Sequence, residues 1–153
     1  MNASVKNIQA DEILARAEAR GRAAQLPYRG AVTPQEAWEL VQGGTARVLD
    51  VRTGAEIELV GGIPGAEEIE WKTYPHWELN PDFLAQVRRR FSPADNILLV
   101  CRSAMRSHDA AALLAAEGFA ACFNVLEGFE GEKNAEAQRA VNGWKVRGLP
   151  WHQ

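Results

Sequence analysis

Ten consecutive residues constrain this chain more than any others: Leu98-Leu99-Val100-Cys101-Arg102-Ser103-Ala104-Met105-Arg106-Ser107. Residues 96–100 are a short, apolar, branched run that suits a buried strand, and residues 108–117, rich in Ala and Leu, suit a helix closed by Gly118. Cys101 is therefore expected at a strand-to-helix turn. There the first free N–H groups of a helix converge and the aligned peptide dipoles favour negative charge, to which Arg102 and Arg106 add formal positive charge. A thiol in that field ionises easily. Free cysteine has a pKa of about 8.5, and helix N-termini with nearby cations lower it to roughly 3.5–7.5, so Cys101 is expected to be largely thiolate at neutral pH.

The same loop is expected to form a cup for an anion, with backbone N–H groups and both arginine side chains pointing at one oxyanion. The loop from Cys101 to Arg106 is one residue short of the one with which cysteine phosphatases cradle phosphate, since Ser107 stands where their Arg would be. A tighter cup suits an outer sulfur or a smaller anion better than a phosphoester. Ser103 and Ser107 either donate hydrogen bonds to a sulfur species on Cys101 or cap the helix. His108, in the first helical turn, is expected to be exposed and dispensable.

At 153 residues the chain fits one domain, and such a domain buries about 68–70% of its unfolded surface without covalent staples. The two cysteines, Cys101 and Cys122, are too few for a disulfide scaffold, and the three histidines lack zinc-ligand spacing, so no metal is expected. Cys122, in Ala121-Cys122-Phe123-Asn124-Val125, reads as a small buried strand residue, with a resolving thiol as the alternative. A net charge of −3 with mixed signs leaves no nucleic-acid or membrane footprint, the three arginines Arg88, Arg89 and Arg90 included. With neither an apolar span nor a leader pattern in the first thirty residues, a cytoplasmic location is expected.

In chain order, Ile8, Ile13, Leu14 and Ala17 predict an amphipathic helix over 8–22, ended by Gly21 and Pro27 and leaning on the domain. Thr33-Pro34-Gln35-Glu36 predicts a capping box for a helix that stops at Gly43-Gly44. Strands are expected at 46–51, 68–71 and 121–126, and a helix at 82–90 whose closing arginines complement its dipole. Alternating strand and helix argues for an α/β fold with a parallel sheet. In such sheets ligands bind at the carboxyl ends of strands, which places Asp50 and Arg52 on one edge with Cys101. The two are read as supporting residues: Asp50 bonding loop N–H groups, Arg52 pairing with Glu56 or Glu58. Tyr74-Pro75-His76-Trp77 either covers the pocket or plugs the core edge, with His76 no catalyst. The polar run 132–140 either hangs over the rim of the site, screening substrates or docking a partner, or is a solvated loop of no consequence.

Together these pieces resemble a single-domain rhodanese over about residues 30–151. The matching motifs are Leu49-Asp50-Val51-Arg52, Gly61-Gly62-Ile63-Pro64-Gly65-Ala66, the loop from Cys101 to Ser107, Gly118-Phe119, Asn124-Val125-Leu126-Glu127-Gly128, and Gly143-Trp144 with Gly148-Leu149-Pro150. The resemblance implies a central parallel sheet of about five strands with helices on both faces. An N-terminal helical extension over 1–29 would pack on a rhodanese-like domain over 30–153. It also implies a sulfurtransferase in which Cys101 takes sulfane sulfur from thiosulfate or a related donor as a persulfide and passes it to cyanide, a thiol or a protein acceptor. Arg102 to Ser107 would bind the donor, and no cofactor would be needed. The alternative is a catalytically weak binding or sulfur-carrier module on the same fold. Three departures stand out: Gly62 where the family usually carries His, Ala104 where it usually carries Gly, and a longer segment over 129–142. Ala104 is expected to be strained if its position requires positive φ.

Overall fold

Ile97, Leu98, Leu99 and Val100 are all fully buried, which a strand allows only when both faces of its sheet are covered. The computed structural model of the chain describes residues 3–153 and places this run, β6 (Ile97–Val100), in the middle of a sheet. Its neighbours are β7 (Cys122–Val125) on one side and β2 (Arg47–Asp50) on the other. Beyond them lie β1 (Gly30–Val32) and β3 (Glu67–Glu68), giving five parallel strands in the order β1-β7-β6-β2-β3. The α/β fold with a five-stranded parallel sheet therefore agrees with expectation. A separate antiparallel pair joins β4 (Lys72–Thr73) and β5 (Glu78–Leu79).

Five helices flank the sheet: α1 (Ala3–Ala23), α2 (Pro34–Gln42), α3 (Gly54–Val60), α4 (Phe83–Arg90) and α5 (Met105–Ala116). Successive strand residues face opposite sides. Leu49 and Leu99 join Phe83 and Val87 of α4 and Ala110 and Leu114 of α5, whereas Val48, Leu98 and Val100 join Ile13 and Ala17 of α1, Leu40 of α2 and Trp144. In the β2–β6 register Asp50 lies beside Val100, so the carboxyl end of β2 adjoins Cys101. No helix among the described residues is long and apolar enough to cross a membrane.

Several boundaries differ from those the sequence predicts. Helix α1 runs through Gly21 because that glycine is a packing position: a Cβ there would collide with the backbone of Arg29 and Gly30, where the chain passes close under the helix. Helix α5 begins at Met105, three residues before the expected start at 108, so Met105, Arg106 and Ser107 are helical. The expected strand 68–71 narrows to Glu67–Glu68, while β1, α3 and the β4–β5 pair emerge without having been foreseen. The Thr33 capping box forms as expected, with Thr33 Oγ1 accepting from the Glu36 N–H and Glu36 accepting from the Thr33 N–H.

Glu36 also ties α1 to the domain by accepting hydrogen bonds from Arg16 and Arg20. Burial acts to raise its pKa, but the bonds from Arg20, the Thr33 N–H and Arg16 outweigh this and bring it from 4.5 to about 2. A carboxylate held low contributes stability above its unfolded-state pKa and loses it as pH falls through the folded value. Glu36→Gln keeps the cap acceptor and removes the charge. It is expected to cost about 1–2 kcal/mol at neutral pH, less than the full shift because both arginines are partly exposed. The gap between variant and parent should close as pH falls from about 4.5 to about 2, measured by urea unfolding at each pH.

Candidate active site

Cys101 follows the last residue of β6, and its backbone is clamped from the far side by the turn after β7. Phe129 N–H donates to the Cys101 carbonyl at 2.8 Å, and Glu130 and Gly131 N–H donate to the Arg102 carbonyl at 3.0 and 3.1 Å. This approach leaves no room at Gly128, where a Cβ would lie 2.6 Å from the Arg102 carbonyl oxygen and φ is +74°. The sulfur is not in an open cup: Cys101 is 1% exposed.

Ala104 is where that loop turns into α5, and its φ of +73° is the left-handed conformation the sequence raised as a source of strain. For a residue with a Cβ this costs about 1–2 kcal/mol. The strain is held in place by Asn124, whose Nδ2 donates to the Ala104 carbonyl at 3.0 Å. That bond turns Asn124 Oδ1 toward Ser107, 2.6 Å from its hydroxyl oxygen, while the same hydroxyl lies 3.2 Å from the Cys101 sulfur. One hydroxyl proton thus serves two acceptors, and only a donor can satisfy the Asn124 oxygen. Ser107 is therefore a sulfur-contacting residue. Asn124, which the sequence shows only as one polar position in a buried strand, is the residue that orients it.

The two loop arginines depart from expectation. Arg106 turns back to Glu56 through two hydrogen bonds of 2.7 and 2.8 Å, and its guanidinium lies 5.0 Å from the centre of the Trp77 ring. Glu56 is placed for this by a capping box at the start of α3: Thr53 N–H donates to it, and its own N–H donates to Thr53 Oγ1. Burial opposes both charges, but the mutual bonds prevail, holding the Glu56 carboxyl below and the Arg106 guanidinium above their ordinary values. Arg102 pairs with Glu130 at 3.0 Å. Neither arginine points at the sulfur unopposed. Of the remaining loop residues, Ser103 is half-buried and Met105 is 75% exposed.

Asp50 and Arg52 are both fully buried and pair with each other rather than with Glu56 or Glu58. Arg52 donates to Asp50 through Nε and Nη2 and to the Gly61 carbonyl, and its guanidinium stacks 4.1 Å from the centre of the Phe129 ring. They support the walls of the site without lining it. Cys122 is buried in the core, and burial alone pushes its thiol up to about 12, consistent with an inert strand residue. His108 is half-buried, not exposed, and its Nδ1 lies 2.6 Å from the Tyr28 hydroxyl. His76 is exposed, as are Tyr74 and Trp77 on the rim. The segment 132–140 is mostly exposed, and the stretch just before it contributes Glu130 to the site. The C-terminal His152 lies against Gly62 and pairs with its backbone.

Two clefts flank the loop. One of about 390 Å³ is lined by Tyr28, Ala104, Met105, His108 and Asn124 beneath α1. The other, of about 300 Å³, lies between α3, the aromatic residues Tyr74 and Trp77, and the Arg102–Glu130 pair.

Comparison with known proteins points the same way. The model of the rhodanese-like domain matches residues 33–135. The crystal structure of Rv0390 from M. tuberculosis superposes with a TM-score of 0.75 at 38% identity, covering 82% of this chain and 98% of that one. RC0915, an uncharacterized protein of Rickettsia conorii, is 34% identical over 116 residues, covering 73% of this chain and 87% of its own. Thiosulfate sulfurtransferase GlpE from Actinobacillus succinogenes is 29% identical over 119 residues, covering 78% of this chain and 86% of its own.

Ala104 and Gly128, both left-handed, make opposite predictions. Ala104→Gly relieves strain and should stabilise the protein by roughly 0.5–1 kcal/mol, the gain being trimmed by the looser unfolded chain. Gly128→Ala has neither the φ nor the space and should cost more than about 2 kcal/mol. Denaturant midpoints of the two variants, compared with the parent, check both signs.

Proposed function

The chain belongs to the rhodanese-like domain family, and on that premise we propose that it moves sulfane sulfur from a donor of the thiosulfate class to a thiophilic acceptor through a persulfide on Cys101. The observation that carries this reading is the placement of the Cys101 sulfur. It lies at the carboxyl edge of the sheet, 3.2 Å from the Ser107 hydroxyl, at the foot of a strained loop. Relatives named thiosulfate sulfurtransferases add support.

The chemistry is covalent catalysis in two half-reactions. The Cys101 thiolate attacks the outer sulfur of thiosulfate, the sulfur–sulfur bond of the donor breaks, and sulfite leaves with its electron pair. The acceptor, cyanide or a thiolate, then attacks the terminal sulfur of the persulfide and restores the Cys101 thiolate. Ser107 is placed to donate to the charged sulfur in either half-reaction, at the expense of its bond to Asn124. No metal or organic cofactor takes part in either step.

A second reading, a sulfur carrier or binding module with little turnover, is favoured by the 1% exposure of Cys101. The two separate in one experiment. Incubation with thiosulfate is expected to add the mass of one sulfur atom, absent in Cys101→Ser and removed by cyanide, with ping-pong steady-state kinetics. If position 101 in the folded protein resists both thiosulfate and iodoacetamide, the sulfurtransferase reading fails.

A further inference from the structure

Tyr28 precedes the stretch matched by the rhodanese-like domain, which begins at residue 33, yet it reaches the first turn of the helix that follows Cys101. Its side chain is buried, and its hydroxyl lies 2.6 Å from His108 Nδ1 across 80 positions of sequence, with the two rings edge to face at 5.2 Å. Burial pushes the hydroxyl above the ordinary tyrosine pKa, and Asp109 adds to the rise against an opposing pull from Asn124. The phenol therefore keeps its proton at neutral pH and donates to Nδ1 of a neutral His108, whose own ring proton then sits on Nε2.

A short chain of contacts joins His108 to the sulfur. Its backbone N–H donates to the Ala104 carbonyl at 3.3 Å, the same carbonyl that accepts from Asn124 Nδ2 at 3.0 Å. Asn124 Oδ1 accepts from Ser107, the neighbour of His108 in α5, and the Ser107 hydroxyl lies 3.2 Å from the Cys101 sulfur. Strand β1 holds the other side, because Ala31 pairs in register with Asn124. The stretch over 28–32 thus grips both elements that position Ser107: α5 through the Tyr28 hydroxyl and β7 through the backbone ladder. Arg20 ties that stretch to α1 by donating to the Ala31 carbonyl at 2.9 Å.

We propose that Tyr28 is a positioning residue for Cys101: its hydroxyl anchors His108 and so fixes the turn from which Ser107 donates to the sulfur. The assignment rests on the sulfurtransferase reading above and adds to its site a residue from before the matched domain. Tyr28 acts through His108 and not through a hydrogen bond of its own to the sulfur. The Ser107 proton has a competing acceptor in Asn124 at 2.6 Å, so a small shift of the first turn of α5 changes how that proton is shared. Loss of the anchor is therefore felt in the rate of the chemical step and not in the binding of the donor.

The test is the rate of Cys101 loading from saturating thiosulfate, read by mass spectrometry in the full chain, for Tyr28→Phe, Ser107→Ala and the double variant. Tyr28→Phe keeps the ring and is expected to slow loading about three- to tenfold, the worth of one hydrogen bond. The half-saturating thiosulfate concentration should change by less than about twofold. In the Ser107→Ala background the same substitution should change the rate by less than about 1.5-fold, since the group it acts through is gone. His108→Asn keeps an acceptor close to the Nδ1 position and should retain at least about half the parent rate, whereas His108→Leu should match Tyr28→Phe. A Tyr28→Phe protein that loads at the parent rate, or that loses the same factor with and without Ser107, overturns the inference while the sulfurtransferase reading stands. If Tyr28→Phe does not fold, the His108 pair decides, equal rates for the two overturning it. If the parent takes no sulfur from thiosulfate but is alkylated at Cys101 by iodoacetamide, the alkylation rates of the same variants decide. A Cys101 that resists both reagents overturns both readings.

Discussion

The Asp50–Arg52 pair, fully withdrawn from water, is the interaction on which the walls of the site depend. Burying two opposite charges costs several kcal/mol per ion, and is tolerated only when their hydrogen-bonding capacity is largely met. Here Asp50 accepts from the Arg52 backbone N–H as well as from its guanidinium, which in turn donates through Nη2 to the Gly61 carbonyl and stacks on Phe129, while Nη1 is buried with no hydrogen-bond partner among the described residues. These contacts join three separate segments: the end of β2, the turn that closes α3, and the turn after β7. The last of these also clamps Cys101 and Arg102 through its N–H groups. Losing either charge would strand the other in an apolar interior and loosen all three walls together.

On that frame the chemistry is set by competition for few donors. Ser107 has one hydroxyl proton, with Asn124 and the sulfur both within reach, so a change in charge on Cys101 is felt in the strand that carries Asn124. The arginines show the same logic: each is available to a ligand only to the extent that the ligand displaces a glutamate. A loop that appears strongly basic when its own residues are counted is, once folded, close to neutral at its mouth. The left-handed Ala104 adds a local cost at the point where the loop turns into α5.

Much of this was legible in the chain. The apolar run before Cys101 suited a buried strand, the alternation around it implied a parallel α/β sheet, and the Thr33-Pro34-Gln35-Glu36 cap was readable because its donors and acceptors are sequence neighbours. The same pattern stands at Thr53-Gly54-Ala55-Glu56, where it starts α3 and places Glu56. Strand β1, at three residues, is too short for any periodicity to announce it and exists because β7 and α1 enclose it.

By itself, then, the sequence determined the kind of scaffold and which side chains its loops carry, because strand, helix and cap signals arise from neighbours a few residues apart. Only the tertiary structure decided what those side chains face. Glu56 meets Arg106 across 50 positions and Asn124 meets Ser107 across 17. Whether a charge is free or paired, and whether a sulfur is open or covered, depends on contacts that local spacing does not encode.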